Sequence, residues 1–283
     1  MNIVILVTGA TGNIGRQVLS QLLDVGVRVR ALTRDLASAH LPDGVEAVRG
    51  DLSAPETLEV GMRDVEAVFM MWPLPSAELA SAAMEVVKKY AQRVVFLSSG
   101  AIRDDLIEQI GPIAQLHADV EQAIKHSGVE WTFLRPHGFA TNTRRWLSQI
   151  RSGDVVRGAY GDAAMTLLHE RDIAAVAVRA LTRDGHGGRD YVLTGPELLT
   201  QAEQARIIGD AIGRPLRWEE ISSAAARQEM LAWQPAEVVD VVLNAYADMV
   251  TWPGPITSAV EDITGKPAHT FLHWATDHAA DFR

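Results

Sequence analysis

The first apolar run of the chain leads directly into a glycine-rich turn. Residues 3–8 read IVILVT, residues 9–15 read GATGNIG, and a helix-like segment follows at residues 16–23. Glycines allow a tight turn and a close backbone approach, and the free N–H groups and dipole of the following helix face negative charge. This order of strand, turn and helix predicts a pyrophosphate-binding unit. The residues expected to hold a dinucleotide are Gly9, Thr11, Gly12, Asn13, Ile14 and Gly15.

The spacing of these glycines narrows the class of binding protein. It is G-x-x-G-x-x-G and not the commoner G-x-G-x-x-G, which indicates a particular branch of dinucleotide-binding proteins. The alternative is a glycine turn that binds nothing. The strand in front of the turn and the helix behind it favour binding.

The first half of the chain alternates strand-like and helix-like segments. Apolar runs that predict further strands lie at residues 27–32, 45–48, 67–71, 93–97 and 131–134. Helices are expected between them at about residues 76–90 and 113–126, and a capping-box pattern at Ser53 predicts a short helix there. Alternation of this kind indicates βαβ units, and strands without a polar face suit a sheet covered on both sides. The predicted fold is α/β, a Rossmann-type doubly wound parallel sheet with a smaller, mainly helical C-terminal substrate lobe.

The pattern loosens after about Gly153. Two short strands are expected within residues 154–170, a strand at 191–194, and helices at 172–181, 200–212, 222–233, 236–250 and near the C-terminus. No low-complexity linker separates the two halves. We therefore predict a dinucleotide-binding domain over residues 1–153, with residues 170–195 packing back on it. Residues 154–283 are predicted to form a smaller substrate or lid region.

Composition limits the partners and the chemistry. The formal net charge of −10 argues against nucleic acid and anionic membranes, and the adjacent Arg144 and Arg145 do not make a basic stripe. The absence of cysteine excludes disulfides, zinc–thiolate sites and a cysteine nucleophile. No run approaches the roughly 18 apolar residues of a membrane span, and the N-terminal run reads as a strand instead of a signal peptide. We expect a cytoplasmic monomer or homodimer that acts on a small molecule.

An arginine follows the second predicted strand, where a dinucleotide fold faces the adenosine ribose. An acidic residue there accepts hydrogen bonds from a 2′-hydroxyl, whereas an arginine clasps a 2′-phosphate. Thr33 and Arg34 occupy this place, and Asp35 comes one residue later. The sequence predicts NADP(H) in preference to NAD(H), with a solvated surface arginine as the alternative. Asp51 and Leu52 are expected to flank the adenine, unless Asp51 only begins a helix.

Motifs along the whole chain carry a family resemblance. Beside the G-A-T-G-x-I-G turn and Arg34 they are Ser98-Ser99-Gly100, His117-x-x-x-Glu121, Trp131-Thr132-Phe133-Leu134-Arg135-Pro136, Leu193-Thr194-Gly195-Pro196 and Thr264-Gly265-Lys266-Pro267. With these motifs the chain resembles the NmrA-like group of atypical short-chain dehydrogenase/reductases. The group contains quinone, ketone and enone reductases as well as cofactor-sensing regulators. The resemblance therefore implies the fold and the cofactor more firmly than the reaction.

The resemblance also shows where the catalytic residues should lie. Reductases of the broader family use a serine, a tyrosine and a lysine, of which the tyrosine protonates the developing alkoxide. Ser99 matches the serine, His117 the lysine and Ile113 the tyrosine, and residues 104–126 contain no tyrosine. Three explanations stay open. His117 supplies the proton, the acceptor is a quinone or flavin-like molecule that water protonates after reduction, or the chain senses NADP(H) without catalysis. His117 could also be structural or contact the ribose.

Further candidates follow the later strands, because ligands of open α/β sheets bind beyond the carboxyl ends of strands. Met71, Trp72, Pro73, Ser98 and Pro136 are expected to contact the cofactor. Trp72, His137, Phe139 and Asn142 are the predicted substrate-pocket residues, and two aromatic rings there would suit a flat, conjugated acceptor. The alternative is that Trp72 and Phe139 are core residues.

The histidines near the C-terminus do not form a metal motif. His269 and His273 have helical i, i+4 spacing, but no glutamate follows as in H-E-x-x-H, so no metal site is predicted. The sequence thus favours an NADPH-dependent reductase of a quinone, ketone or conjugated carbonyl in a small aromatic or polyketide-like molecule. A non-catalytic NADP(H)-sensing regulator of the NmrA type is the alternative.

Overall fold

The computed structural model describes residues 3–283. Its strands are Val4–Val7 (β1), Arg28–Thr33 (β2), Val45–Arg49 (β3), Val65–Met71 (β4), Arg93–Leu97 (β5), Glu130–Pro136 (β6), Val155–Gly158 (β7), Ala164–Met165 (β8), Arg189–Leu193 (β9), Leu199–Thr200 (β10) and Arg217–Glu220 (β11). Its α-helices are Asn13–Asp24 (α1), Leu58–Met62 (α2), Ala80–Val87 (α3), Pro112–Ser127 (α4), Leu147–Ser152 (α5), Glu170–Thr182 (α6), Gln201–Ile212 (α7), Ser223–Met230 (α8), Ala236–Thr251 (α9), Ala259–Thr264 (α10), Phe271–Asp277 (α11) and Ala279–Phe282 (α12). Short 3-10 helices cover Pro55–Thr57 and Ala140–Trp146.

The chain divides into two compact units. The first contains the described residues up to Pro136 together with Glu170–Leu193 and Ala259–Lys266, and the second contains His137–His169, Thr194–Ser258 and Pro267–Arg283. The domain limits inferred from the sequence, 1–153 and 154–283, stay a prediction.

The first unit is built on a parallel sheet. Within residues 3–283 this sheet has seven strands in the order β3-β2-β1-β4-β5-β6-β9, and every neighbouring pair is parallel. The strand order reverses direction between β1 and β4, so their carboxyl ends open the crevice in which such sheets bind ligands. The Rossmann-type sheet predicted from the sequence is confirmed.

Helices cover both faces of this sheet. Alternate residues of β1, Val4 and Leu6, belong to an apolar core with buried residues of α2, α3 and α4. Helices α1 and α6 pack against each other, and the intervening residues Ile5 and Val7 are also buried. Since successive side chains of a strand point to opposite faces, the near-continuous apolar runs of the sequence reflect a sheet that is buried on both sides.

The second unit is mainly helical, with small sheets at its edges. Strand β7 pairs with β11 in parallel, and β8 pairs with β10 in antiparallel fashion. One core gathers residues of α5, α7, α11 and α12 around Trp274, and another gathers residues of α8 and α9 around Val239. None of the helices in residues 3–283 combines the length and the apolar character that a bilayer crossing requires.

Two local predictions need correction. The capping box expected at Ser53 does not form, because the 3-10 helix of residues 55–57 begins after Ala54 and no side chain caps it. The backbone N–H of Ser53 instead donates to the Asp51 carboxylate (2.9 Å). The helix expected at residues 76–90 is shorter, since α3 spans only Ala80–Val87.

Candidate functional site

The turn between β1 and α1 needs glycine at two positions. Gly9 has φ = +61°, a conformation that favours glycine, and a Cβ there would overlap the side chain of Met71. A Cβ at Gly15 would overlap the carbonyl oxygen of Gly9. The N–H of Gly12 donates to that same oxygen (3.0 Å). The turn therefore requires residues without a Cβ at both positions, where Met71 and the Gly9 carbonyl lie in close contact with the glycines.

The helix that follows leaves its first N–H groups open. Helix α1 begins after Gly12, and no side chain in the described residues caps it. The adjacent strand ends are tied together by Thr8, whose hydroxyl accepts from the N–H of Met71 (2.7 Å) and donates to its carbonyl (3.0 Å). An uncapped helix N-terminus beside a glycine turn is a ready anion site.

A cavity of about 340 Å³ opens at this turn. Its walls are Thr8, Gly9, Ala10, Thr11, Gly12, Leu32, Thr33, Arg34, Asp35, Ser38, Gly50, Asp51, Leu52, Met71 and Pro73. The structure thus brings together most of the residues predicted to hold the pyrophosphate and adenosine. Asn13, Ile14 and Gly15 lie in the first turn of α1, behind this wall.

Arg34 and Asp35 follow β2, and their side chains differ in what they contact. The Asp35 carboxylate accepts from the N–H of Ala37 (2.9 Å), and hydrogen bonds from Ser38 and Ala37 lower the pKa of Asp35. This carboxylate is therefore used within its own loop. The Arg34 side chain is exposed, lines the cavity and has no ion pair in residues 3–283. The contact of Arg34 with a 2′-phosphate stays a prediction.

Asp51 lies at the cavity and also at the start of the 53–57 segment, and its predicted contact with the adenine stays a prediction. It lines the cavity, and the hydrogen bond from the Ser53 backbone lowers its pKa, with a smaller contribution from the charge of Arg34. Its own N–H donates to the Thr57 hydroxyl (2.9 Å). The Asp51 carboxylate therefore holds the start of the 53–57 segment through the N–H of Ser53.

Ser98 belongs to a buried charged network that the sequence did not reveal. Its hydroxyl donates to Glu121 (2.6 Å), which also receives the guanidinium of Arg135 (2.9 and 2.7 Å). Arg135 makes two further hydrogen bonds to Asp104 (2.8 and 3.0 Å). Burial alone would lower the pKa of Arg135, but Glu121 and Asp104 raise it above its ordinary value. The Ser98 hydroxyl is thus held inside the unit, and its predicted cofactor contact stays a prediction.

Of the two predicted catalytic residues, Ser99 follows β5 and His117 lies on α4. The Ser99 hydroxyl accepts from the N–H of Ala101 (3.2 Å). Nδ1 of His117 lies 2.8 Å from the carbonyl oxygen of Ile113. A carbonyl only accepts, so Nδ1 carries the proton and Nε2 of the neutral ring is the free acceptor. Ile113 itself is 51% exposed, and its predicted place as the tyrosine equivalent offers no proton.

Trp72 and Pro136 are buried within the first unit. Trp72 is 6% exposed, packs in the core and donates its indole N–H to the carbonyl of Ser76 (2.9 Å). Pro136 ends β6, and its carbonyl accepts from Gly100 (2.9 Å). The core interpretation of Trp72 is thus compatible with its surroundings, and its contacts with cofactor and substrate stay predictions.

The other pocket candidates belong to the second unit. Partial burial of its ring lowers the pKa of His137. Phe139 is half-buried and pairs with Leu168 in a short bridge, and Asn142 is exposed. Their contact with substrate stays a prediction.

The C-terminal histidines come together in the second unit. The rings of His169, His269 and His273 have centroids 4.6–6.3 Å apart, and Nε2 of His169 lies 3.4 Å from Asp277. Even so, no group of side chains in residues 3–283 has the arrangement of a metal site.

The parallel sheet and the glycine-lined cavity define a dinucleotide-binding protein of the Rossmann type. A family model described as NAD(P)H-binding matches residues 9–184, from the glycine turn to the segment after α6. The chain belongs to this NAD(P)H-binding family.

Similar proteins extend this assignment over the whole chain. A (4-alkanoyl-5-oxo-2,5-dihydrofuran-3-yl)methyl phosphate reductase from Streptomyces griseus is 38% identical, over 98% of this chain and 99% of its own length. An NAD(P)H azoreductase from Xenophilus azovorans is 34% identical over 98% and 99%. The structure of Citrobacter sp. triphenylmethane reductase complexed with NADP(H) matches with a TM-score of 0.82 and 20% identity, over 97% of this chain and 99% of that one. Given its family and its reductase relatives, the chain is an NAD(P)H-dependent oxidoreductase.

Proposed function

We propose that this protein is an NADPH-dependent reductase of a quinone, ketone or conjugated carbonyl in a small aromatic or polyketide-like molecule. We further propose that it lies on the NmrA-like branch of atypical short-chain dehydrogenase/reductases. The observation that carries the proposal is the cavity at the glycine turn, in which Arg34 faces outward while Asp35 is engaged by its own loop.

The residues of the first unit fit the cofactor. A Cβ at Gly9 or Gly15 would fill the turn, and the uncapped start of α1 leaves N–H donors for a pyrophosphate. Arg34 would hold the 2′-phosphate, and Asp51 and Leu52 would flank the adenine. NADPH, when bound, supplies the hydride. The residues of this chain bind and orient it and manage the proton.

The relatives support a conjugated acceptor. The name of the Streptomyces enzyme describes an unsaturated lactone ring that carries an alkanoyl group and a phosphate ester. The Xenophilus enzyme is named for reduction of an azo compound. The unsaturated lactone and the azo group are both electron-poor π systems, which accept a hydride directly. We propose the same class of acceptor for this chain.

His117 is our proposed source of the proton. Its Nδ1 proton is held by the carbonyl of Ile113, so the ring delivers a proton from Nε2 when it is in the imidazolium form, in which both nitrogens carry one. Ser99 is proposed to orient a carbonyl oxygen. An acceptor whose reduced form is a stabilised anion has the least need of a proton donor in the enzyme. This class of acceptor therefore accords with the absence of the family's tyrosine. The alternative of a non-catalytic regulator rests on that missing tyrosine alone.

A stopped-flow experiment tests the proposal. NADPH oxidation is followed at its absorbance maximum after mixing with a quinone, a cyclic enone, an alkanoyl-substituted unsaturated lactone or an azo dye. We expect multiple turnovers with at least one of these acceptors and slower turnover with NADH. If the protein binds NADPH tightly yet oxidises it with none of them, the reductase proposal is wrong and the sensor alternative stands.

A further inference from the structure

The second unit contains a cavity of its own, of about 310 Å³, which is at the lower end of the range for small-molecule sites. Every residue of its wall belongs to this unit. The wall is largely aromatic and aliphatic, with Trp146, Trp218, Ile221, Met230, Trp233 and Tyr246. An apolar cavity with few polar groups is the usual form of a ligand site.

Of the two arginines in this wall, Arg145 and Arg157, only Arg145 lacks a carboxylate partner within residues 3–283. The Arg145 guanidinium lies 4.4 Å from the ring centroid of Trp146 and 5.3 Å from that of Tyr246. It donates to the carbonyl of Asn142 (3.0 Å) and to the side chain of Gln201 (2.8 Å). Arg145 has no carboxylate partner within residues 3–283, and burial lowers its pKa. Two of its five N–H donors are used, so three stay available for an anion.

Gln201 fixes the direction of this guanidinium. The Gln201 amide nitrogen donates to the carbonyls of Ala159 (3.0 Å) and Tyr160 (2.9 Å), so its oxygen must face Arg145. Gln201 is the first residue of α7, and a capping box at Thr200 and Glu203 anchors that helix start. Arg145 is therefore held in place before any ligand binds, which reduces the entropic cost of binding.

The other charges at the cavity neutralise each other. Arg157 lies 3.0 Å from Glu219 and 3.4 Å from Glu229, and Glu229 is the acidic residue of the wall. Among residues 3–283, Arg145 is thus the charged residue of this wall that no carboxylate pairs with, beside the polar Ser148, Gln149 and Gln201 and the apolar rings. The Arg145 side chain is half-buried, and a cation that has lost part of its hydration gains from an accompanying anion.

The aromatic wall is also held rigidly. Trp146 and Trp218 meet edge to face with centroids 5.7 Å apart, and the Trp218 indole N–H donates to Glu220 (2.7 Å). Gly158 and Gly161 provide the space for the Trp218 ring, since a Cβ at either would collide with it. Trp146 and Trp218 are therefore held in position before a ligand binds, as Arg145 is.

We propose that this cavity binds a small molecule that joins an anionic oxygen group, a carboxylate or a phosphate monoester, to an apolar body. Arg145 receives the anionic group, and the tryptophans enclose the apolar part. The proposal does not depend on the proposed function, because every residue that carries it belongs to the second unit.

Binding is tested without NADPH, by titrating the intrinsic tryptophan fluorescence of the full-length protein. The probes are octanoate, octyl phosphate, octanol and inorganic phosphate. We expect the two anionic chains to bind at least tenfold more tightly than octanol, with inorganic phosphate the weakest of the four. Octanoate and octyl phosphate together distinguish a carboxylate from a phosphate ligand. Equal binding of octanol and both anions would overturn the proposal.

The matched variants are Arg145→Met and Arg206→Met, which remove one arginine each from the same unit. Arg206 is exposed and pairs with Asp210 on the outer face of α7. Arg145→Met should weaken binding of the anionic chains by roughly tenfold to a hundredfold, the scale of a hydrogen bond to a charged group, and leave octanol unchanged. Arg206→Met should change neither. Unchanged octanoate binding in a folded Arg145→Met variant would refute the assignment.

A second variant keeps the test valid if Arg145→Met does not fold. Met230→Trp fills the apolar end of the cavity and leaves Arg145 in place. We expect this variant to lose octanoate binding. If it still binds octanoate, the ligand lies outside this cavity. The two proposals also fail separately. Anion binding without turnover of any acceptor removes the reductase proposal but keeps the site. Turnover of neutral acceptors without octanoate binding removes the site but keeps the reductase.

Discussion

The carbonyl oxygen of Gly9 occupies the space in which a side chain at Gly15 would begin. Gly15→Ala must therefore displace the backbone of the turn, since the obstructing atom is not part of a flexible side chain. We expect NADPH and NADH affinities to fall together, by a factor of ten or more, while the fold is retained. Isothermal titration with each cofactor measures this change. Gly153→Ala is the control, because nothing lies within 4 Å of a Cβ there. A selective loss of NADPH alone would contradict the assignment of the turn to the pyrophosphate.

Arg34→Ala separates the two cofactors. Arg34 lines the cavity and has no ion pair within residues 3–283; if it holds the 2′-phosphate as proposed, its loss should weaken NADPH binding by roughly 1.5–3 kcal/mol and leave NADH little changed. Arg28→Ala provides the control for charge, since Arg28 is exposed at the opposite, amino end of β2. An equal loss for both cofactors would show that Arg34 does not contact the 2′-phosphate.

The sequence predicted the sheet and the nucleotide-binding turn because both are local. Apolar runs and glycine spacing can be read from neighbouring residues, and the contact of residues 9–15 with a pyrophosphate stays a prediction. The helix start after Asp51 shows the limit of this reasoning. Ser53 and Asp51 are both able to satisfy free N–H groups, and the pattern alone did not show that Asp51 prevails.

The buried network and the second cavity were beyond sequence reasoning for a different reason. Ser98, Glu121 and Arg135 were visible only as parts of three separate family motifs, and Asp104, which contacts Arg135, belonged to none of them. Arg145 stood out only as one of two adjacent arginines. What distinguishes Arg145 is that no carboxylate of residues 3–283 pairs with it. A sequence pattern does not show which side chains are close in space.

His117→Ala should reduce turnover far more than NADPH affinity. If Nε2 of His117 delivers the proton, its loss should lower kcat by about a hundredfold, the lower range for general acid catalysis. Stopped-flow turnover and a separate NADPH titration give the two quantities. His126→Ala is a close control, because Nδ1 of His126 makes the same kind of contact with Gln122 (2.7 Å) on the same helix. Parallel losses of turnover and affinity in His117→Ala would assign His117 to binding instead.

Glu121→Gln should destabilise the first unit. It removes the charge that faces a buried guanidinium, and breaking such a pair costs about 3 kcal/mol or more when no other acid is near. Asp104 still contacts Arg135, so we expect a loss of about 2–3 kcal/mol in the free energy of unfolding, measured by urea denaturation. Glu85→Gln, which breaks an exposed pair with Lys88, should cost less than about 1 kcal/mol. Similar losses in both variants would mean that the network contributes no more than a surface pair.

Asp104 should make the stability of the first unit depend on pH in the acid range. Its hydrogen bonds with Arg135 lower the pKa of Asp104 below 3.8 in the folded state. As pH falls, the unfolded chain takes up this proton first, so the stabilisation is complete well above pH 3.8 and is lost below it.

Thermal unfolding of the wild type and of Asp104→Asn across the acid range tests the direction of this pH dependence. The wild type should melt at a higher temperature at neutral pH, and the difference should shrink as pH falls through 3.8. Because the Asp104 side chain is 70% exposed, salt should also reduce the difference at neutral pH. Asp24→Asn removes an exposed carboxylate that has no ion pair in the described residues. A pH dependence of equal size in that variant would show that net charge, and not the contact with Arg135, produces the effect.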